Sequence, residues 1–290
     1  MRKVTLVGVG LLGGSLGIAL KKKRLANSVV GLVRRKASIS ESMRAGAVDS
    51  ATLDLVEAVQ SAELIVLCTP ISQMKPLLIQ MLPALNPGTV ITDVGSVKTS
   101  VVQELEPLAA KAGAHFVGSH PMAGAEKMGV AAARADLFEN AVCVVTPTSR
   151  SNKVALGKVC SLWKKVGARV MHLSPARHDE LVSRSSHLPH ILAATLARLV
   201  LDPVSPQEQS LLCATGFRDT TRIASGSPEM WRDIELTNGK NVLKALDLFL
   251  RDLKAVRTLI ASRNPKRIER FLTEAKERRD RWRDNGNKKV

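Results

Sequence analysis

Through residue 172, short apolar runs alternate with longer stretches in which apolar side chains return every three or four positions. Residues 4–8, 29–33, 64–68, 90–94 and 142–146 have the length and β-branched content of strands, and Phe116-Val117 reads as a shorter one. Residues 11–22, 98–110 and 153–166 carry helical spacing. The run 64–68 is apolar throughout, as in a strand covered on both faces. Such alternation predicts a mostly parallel sheet with crossover helices. From Ser174 onward the helical period continues and strand signals almost stop, with Ser174 as N-cap and Pro175 in the first turn. Residues 243–260 are strongly amphipathic, with Leu246, Phe249, Leu250, Leu253 and Val256 at helical spacing. The expected division is an α/β domain over 1–172 and an all-helical domain over 173–290.

The first strand runs into Gly8-Val9-Gly10-Leu11-Leu12-Gly13, which opens the first helix. This is the strand–turn–helix context that a dinucleotide fingerprint requires, so the α/β domain is expected to be of the doubly wound Rossmann type. Gly8 allows the tight turn. Gly10 lets the backbone approach a pyrophosphate, and Gly13 lets helix and strand close together. The helix N-terminus, beginning at Leu11 and Leu12, adds amide donors for phosphate. NAD-binding domains usually end the second strand with Asp or Glu, which holds the ribose 2′-hydroxyl. Here that place holds Val33, followed by Arg34 and Arg35. A guanidinium can pair with a 2′-phosphate, so NADP is expected over NAD, which stays possible.

Lys and Arg number 43 against 26 Asp and Glu, a net charge of +17, which favours anionic partners. Nucleic acid is the tempting one. However, aromatic residues are 3% of the chain and tyrosine is absent, so surfaces on which bases could stack are scarce. No helix-turn-helix, zinc-finger or RRM pattern occurs. In the basic tail, charges alternate in sign from Arg267 to Asp284 while Ile268, Phe271, Leu272 and Ala275 recur. That is an amphipathic helix with a solvated face, and no nucleic-acid role is expected. Arg2 and Lys3 before the apolar start look like a signal peptide, but glycines break the run and Lys21-Lys22-Lys23-Arg24 replaces a cleavage site. No other segment holds 18 uninterrupted apolar residues, so no membrane span is expected. Cys68, Cys143, Cys160 and Cys213 form no CxxC pair and read as reduced thiols of a cytoplasmic protein.

Three stretches carry further chemistry: Asp93-Val94-Gly95-Ser96-Val97-Lys98, Gly118-Ser119-His120-Pro121-Met122-Ala123-Gly124, and Gly216-Phe217-Arg218-Asp219-Thr220-Thr221-Arg222-Ile223-Ala224. With the glycine loop and Ser186-His187-Leu188-Pro189-His190, they make the sequence resemble the prephenate/arogenate dehydrogenase family of tyrosine biosynthesis, nearly end to end. The resemblance implies oxidative decarboxylation of arogenate or prephenate. Hydride leaves the carbinol carbon for the nicotinamide, the hydroxyl proton goes to a base, and loss of carbon dioxide aromatises the ring. It implies His120 as that base, in a Gly/Pro-rich loop after Phe116-Val117, and Ser96 as a hydrogen-bond partner of the same hydroxyl. It also implies Arg222 on the ring carboxylate, with Arg218 the weaker candidate. His190 would lie against the substrate side chain with His187 nearby, and Thr69 and Pro70 would line the cofactor pocket.

Read as residues alone, alternatives stay open. His120 could be a structural loop histidine, Ser96 an N-cap for the helix near Lys98, and Thr69 a strand-end cap. Arg222 could pair with Asp219 or Glu229. Lys98 could assist the cofactor or solvate its helix. His187 and His190, three apart on a helix, share a face. They could be a hydrogen-bonded core pair, and without a third ligand they make a poor zinc site, so no metal is expected. His178 and Asp179, at the start of the same helix, read as structural.

Two other functional classes compete. A non-catalytic NADP-binding regulator would not need Ser96, His120 and Arg222 together. A reductase of the β-hydroxyacid type would need a lysine in the helical domain that this sequence does not place. The pair Arg34-Arg35 and residues 216–222 look more like the NADP-using arogenate members than the NAD-using prephenate ones. The apolar helix 243–260 fits a homodimer with an isologous interface, which the resemblance also implies.

Overall fold

The structure, a computed structural model, describes residues 1–124, 128–204 and 206–287, with side chains through residue 282; the end of the basic tail lies outside the described residues. Strands β1 (Lys3–Val7), β2 (Ser28–Leu32), β3 (Ser50–Thr52), β4 (Leu64–Leu67), β5 (Val90–Asp93), β6 (His115–Pro121), β7 (Val142–Thr146) and β8 (Arg169–His172) form one sheet. Their order is β3-β2-β1-β4-β5-β6-β7-β8. Neighbours are parallel except β6 and β7. Helices α1 (Leu11–Lys22), α2 (Lys36–Arg44), α3 (Leu55–Val59), α4 (Ile71–Met81), α5 (Thr99–Lys111) and α6 (Lys153–Lys165) make the crossovers.

Strand β4 is apolar at every position because both faces of the sheet are covered. Val4 and Leu6 of β1 and Leu64 and Val66 of β4 join one buried cluster. Their neighbours Val7, Ile65 and Leu67 join a second cluster with Met74 and Leu78 of α4. Successive side chains of a strand point to opposite faces, so the two clusters are the two sides of one sheet.

After β8 the chain is helical: α7 (Pro175–Val182), a π-helical turn (Ser183–His187), α8 (Leu188–Val200), α9 (Gln207–Leu211), α10 (Thr215–Thr221), a 3₁₀ turn (Arg222–Ser225), α11 (Pro228–Thr237), α12 (Gly239–Ala261) and α13 (Pro265–Asn287). Ser174 caps α7, accepting from Arg177 N at 3.3 Å. By compactness the chain divides into Met1–Val242 and Leu243–Val290. The change from sheet to helices at residue 173 therefore falls inside the larger unit.

Three local expectations change. Edge strands β3 and β8 bury none of their residues fully, so they lack the apolar run that marks β4. The strand at Phe116-Val117 continues through Pro121, so His120 sits in β6 rather than in a loop. Pairing with β7 extends it: Gly118 faces Thr146, His120 faces Val144 and Pro121 faces Cys143. Proline is tolerated there because it ends the strand. Finally, α5 begins at Thr99 and is not capped by Ser96; its first amides are held from α7.

Candidate active site

The chain leaves β1 toward β2 on one side and β4 toward β5 on the other. This reversal is the switch point at which doubly wound sheets bind their ligands. A cleft of about 1540 Å³ opens there. That exceeds the roughly 300–1,000 Å³ of a single small-molecule pocket, and leaves room for a dinucleotide and a substrate together.

The glycine loop forms the floor. Gly8 has φ +97°, and a Cβ on it would meet Cys68 O at 3.0 Å. A Cβ on Gly13 would lie 2.1 Å from Gly8 O, so this turn and α1 can close only with glycine there. Gly10 differs: nothing lies within 4 Å of where its Cβ would be. The space belongs to the cleft, and Gly10, Leu11 and Leu12 line it. The N-terminus of α1 opens there without an acidic side chain in its first turn, as an anion site requires. Thr69 and Pro70 line the same wall beyond β4. Thr69 is not a strand-end cap: its buried Oγ1 has no hydrogen-bond partner among the described residues. A phosphate cradle, an open Gly10 and an orphaned hydroxyl fit a nicotinamide dinucleotide.

Beside β2, Val33 is buried at the carboxylate position, and Arg34 and Arg35 are exposed and line the cleft. Arg44 at the end of α2 also lines it, a third guanidinium that the sequence reading did not single out. Arg35 lies 3.8 Å from Glu41.

Ser96 and His120 line the cleft from the loop after β5 and from β6. Both are anchored to one buried ion pair. Lys98 and Asp93 are fully buried and bonded to each other, so Lys98 neither faces a cofactor nor solvates its helix. Asp93 Oδ2 accepts from Gly95 N at 2.8 Å, and Oδ1 accepts from Ser119 N at 3.0 Å. Lys98 Nζ donates to Ser119 O at 2.9 Å. The loop that carries Ser96 and the strand that carries His120 thus share a single electrostatic anchor.

His120 is 8% exposed, and its Nδ1 lies 2.8 Å from His178 Nε2. His178 Nδ1 lies 2.8 Å from Asp179 Oδ1. Asp179 also accepts from Lys98 N and Thr99 N, each at 2.8 Å, which caps α5. Burial, then the nearby His178, Lys98 and His187, hold the pKa of His120 well below the usual 6.5. The imidazole is therefore neutral at neutral pH, as a base must be. Burial alone would raise Asp179, but hydrogen bonds from His178, Thr99 and Lys98 outweigh it and leave its carboxyl lowered. The sequence reading treated His178 and Asp179 as structural. No local signal connects them to His120, which lies 58 residues earlier.

The remaining candidates stand outside the cleft lining. His187 is in the π-helical turn and His190 in the first turn of α8, and both rings meet Trp231. The His190 ring stacks on Trp231 at 3.6 Å and 9°. Trp231 and Ser186 themselves line the cleft. His187 Nε2 and both His190 ring nitrogens are buried without hydrogen-bond partners among the described residues, so the two are not a hydrogen-bonded pair. Arg218 in α10 and Arg222 in the 3₁₀ turn are exposed, while Gly226 and Ser227, just beyond that turn, reach the cleft. Among the described residues no three His, Cys, Asp or Glu side chains come together in a group able to hold a metal ion.

Comparison with known proteins agrees with this geometry. Residues 16–172 match the family model described as the prephenate dehydrogenase nucleotide-binding domain, and residues 174–274 match its dimerization domain. The chain is 35% identical over 283 residues to prephenate dehydrogenase of Bacillus subtilis (strain 168), covering 96% of this chain and 75% of that one. It is similar to prephenate dehydrogenase from A. aeolicus in complex with hydroxyphenyl propionate and NAD+, with a TM-score of 0.90 and 32% identity over 97% of this chain and 98% of that one. It is also similar to Synechocystis arogenate dehydrogenase, with a TM-score of 0.80 and 32% identity over 97% of this chain and 100% of that one. A doubly wound sheet, a dinucleotide cradle and these matches over both halves lead to one conclusion: the chain belongs to the prephenate/arogenate dehydrogenase family, the nicotinamide-dependent oxidoreductases of tyrosine biosynthesis.

Proposed function

We propose that this dehydrogenase acts on arogenate, prephenate or both, with NADP preferred over NAD, and works as a cytoplasmic homodimer. The observation that carries the reaction is the placement of a neutral His120 in the same cleft as the glycine loop. The bound nicotinamide supplies the hydride acceptor. His120 takes the proton of the substrate hydroxyl, and Ser96 holds the same hydroxyl in line. Together they drive electron density toward the carbinol carbon as hydride departs, which is general-base catalysis with positioning. Arg222 is the residue this reading assigns to the ring carboxylate, with Arg218 in support; a guanidinium would hold that carboxylate bidentately until the ring aromatises. His190 and His187, fixed against Trp231, support the wall facing the substrate side chain.

The cofactor preference rests on Arg34, Arg35 and Arg44 lining the cleft, with Val33 rather than a carboxylate directly after β2. The cytoplasmic assignment rests on the four cysteines, which are free thiols, and no helix among the described residues is long and apolar enough to cross a membrane. The deciding experiment is the initial rate of nicotinamide reduction with arogenate and prephenate, each against NADP and NAD. Fast turnover with NADP is expected, and the better substrate names the side-chain preference. Binding of NADP without turnover in all four pairings would leave a non-catalytic dinucleotide-binding regulator.

A further inference from the structure

We infer that His178 and Asp179 are positioning residues that fix the tautomer of His120, leaving its Nε2 as the bare nitrogen that takes the substrate proton. The inference rests on the assignment of His120 as the base. It follows from the one place in the chain of contacts where polarity cannot change. Backbone amides only donate, and Lys98 N and Thr99 N both donate to Asp179, each at 2.8 Å. Asp179 is thereby held as an ionised acceptor. An acceptor-only oxygen 2.8 Å from His178 Nδ1 requires the proton on that nitrogen. With that single proton on the His178 ring, its Nε2 is bare. That atom lies 2.8 Å from His120 Nδ1, so the second proton must sit on His120 Nδ1. His120 is neutral, and its one remaining nitrogen, Nε2, carries a lone pair.

Each link is fixed by the one before it, and the series starts at the first amides of α5. The three side chains are 8%, 0% and 2% exposed in the order His120, His178, Asp179, so water does not compete for these contacts. The titratable groups around His120 are His178 and Asp179 from α7, Lys98 from the β5–α5 connection with its partner Asp93 at the end of β5, and His187 from the π-helical turn. When Nε2 accepts the proton, Nδ1 keeps its own and still donates to His178. The new positive charge then lies two hydrogen bonds from the Asp179 carboxylate, and no further proton transfer is needed.

The test has a spectroscopic and a kinetic arm. The chain has six histidines, few enough for ring-¹⁵N labelling and assignment by loss of the signal in His120→Asn. In the wild type, His120 is expected to be protonated on Nδ1 and bare on Nε2; the opposite tautomer overturns the inference whatever the kinetics show. Asp179→Asn leaves one acceptor oxygen for three donors, Lys98 N, Thr99 N and His178 Nδ1, and turns an N–H toward at least one of them, so the proton on His178 Nδ1 is no longer enforced. Replacing a buried carboxylate by an amide beside a catalytic histidine costs about 10⁴-fold in kcat. One link further out, the expected loss is about 10²- to 10³-fold in kcat, with KM within about threefold. The loss should persist on the alkaline plateau of the pH profile, because raising pH does not correct a tautomer. Recovery at high pH, or kcat within threefold of wild type, overturns the inference. His178→Gln keeps an acceptor for His120 and a donor for Asp179, so it should retain far more activity than His178→Leu; equal losses overturn it. Retained turnover in His120→Asn would instead remove the base itself. A dead His120→Asn beside a fully active Asp179→Asn removes only the positioning role.

Discussion

Three histidines are kept uncharged by this fold, and that has a cost in acid. Burial lowers the pKa of His120, His187 and His190, with His187 brought to about 4. Their folded values lie below the unfolded value near 6.5, so the unfolded chain binds more protons as pH falls below about 6.5. Stability is then lost at about 1.4 kcal/mol per pH unit for each group, down to its folded pKa. Denaturant melts should therefore show at least about 2 kcal/mol less stability at pH 5 than at pH 7; a flat profile would contradict the buried neutral rings. A second residue-level outcome concerns the cofactor. Arg35 has Glu41 within 3.8 Å, which leaves Arg34 as the better partner for a 2′-phosphate. A charge-assisted hydrogen bond is worth roughly 1.5–3 kcal/mol, so Arg34→Ala should lower kcat/KM for NADP about 10- to 100-fold and leave that for NAD nearly unchanged. Equal losses with both cofactors would mean that Arg34 reads only the shared part of the molecule.

At the scale of elements, the loop of Ser96 and the strand of His120 depend on Asp93 and Lys98. A buried ion pair gives little net stability, but removing one partner leaves an uncompensated charge and costs about 3–5 kcal/mol. Lys98→Met should lower stability by that amount in equilibrium unfolding, and Asp93→Asn with Lys98→Met together should lower it by less than Lys98→Met alone. The same elements show what a sequence can reveal. Residues 64–68 and the loop from Gly8 to Gly13 were legible because their signals are local: an apolar run, and glycines at turn spacing. The second half of β6 was not, because it is a strand only through pairing with β7, whose facing residues Val144 and Val145 lie well down the chain. Ser96 stayed open as a cap of α5 for a related reason. A serine three residues before a helix is a sound local candidate, yet the amides are taken by Asp179, 80 residues on. Arg44 lines the cleft from the far end of α2, where no motif marks it.

Over the whole molecule, most of the candidate site was legible, but its division into cleft and surroundings was not. The glycine loop, Arg34, Arg35, Thr69, Pro70, Ser96 and His120 line one cleft, whereas Arg218, Arg222, His187 and His190 do not. Sequence spacing cannot separate a residue in a wall from one standing behind it. The helical part exposes large apolar side chains, including Leu199, Leu211 and Leu212. Along α12, Leu243, Leu250, Leu253 and Ile260 make an exposed stripe on one helical face. Stripes of this kind mark association surfaces, in keeping with the dimerization domain matched by residues 174–274. Sedimentation at micromolar concentration should give a dimer, and Leu250→Glu with Leu253→Glu should shift it toward monomer. A monomeric wild type would contradict the proposal.

The long reach of Asp179 also bears on modularity. A dinucleotide-binding half is often imagined as a cassette that can be joined to new partners. Here a cut after the last strand would strip two amides of α5 of their acceptor and take from His120 the ring that faces it. The isolated cassette could still cradle a dinucleotide, since Gly8, Gly10 and Gly13 need nothing from α7. On the proposed role of His120 it would lack an oriented base, so recombination could transplant binding from this fold far more readily than turnover.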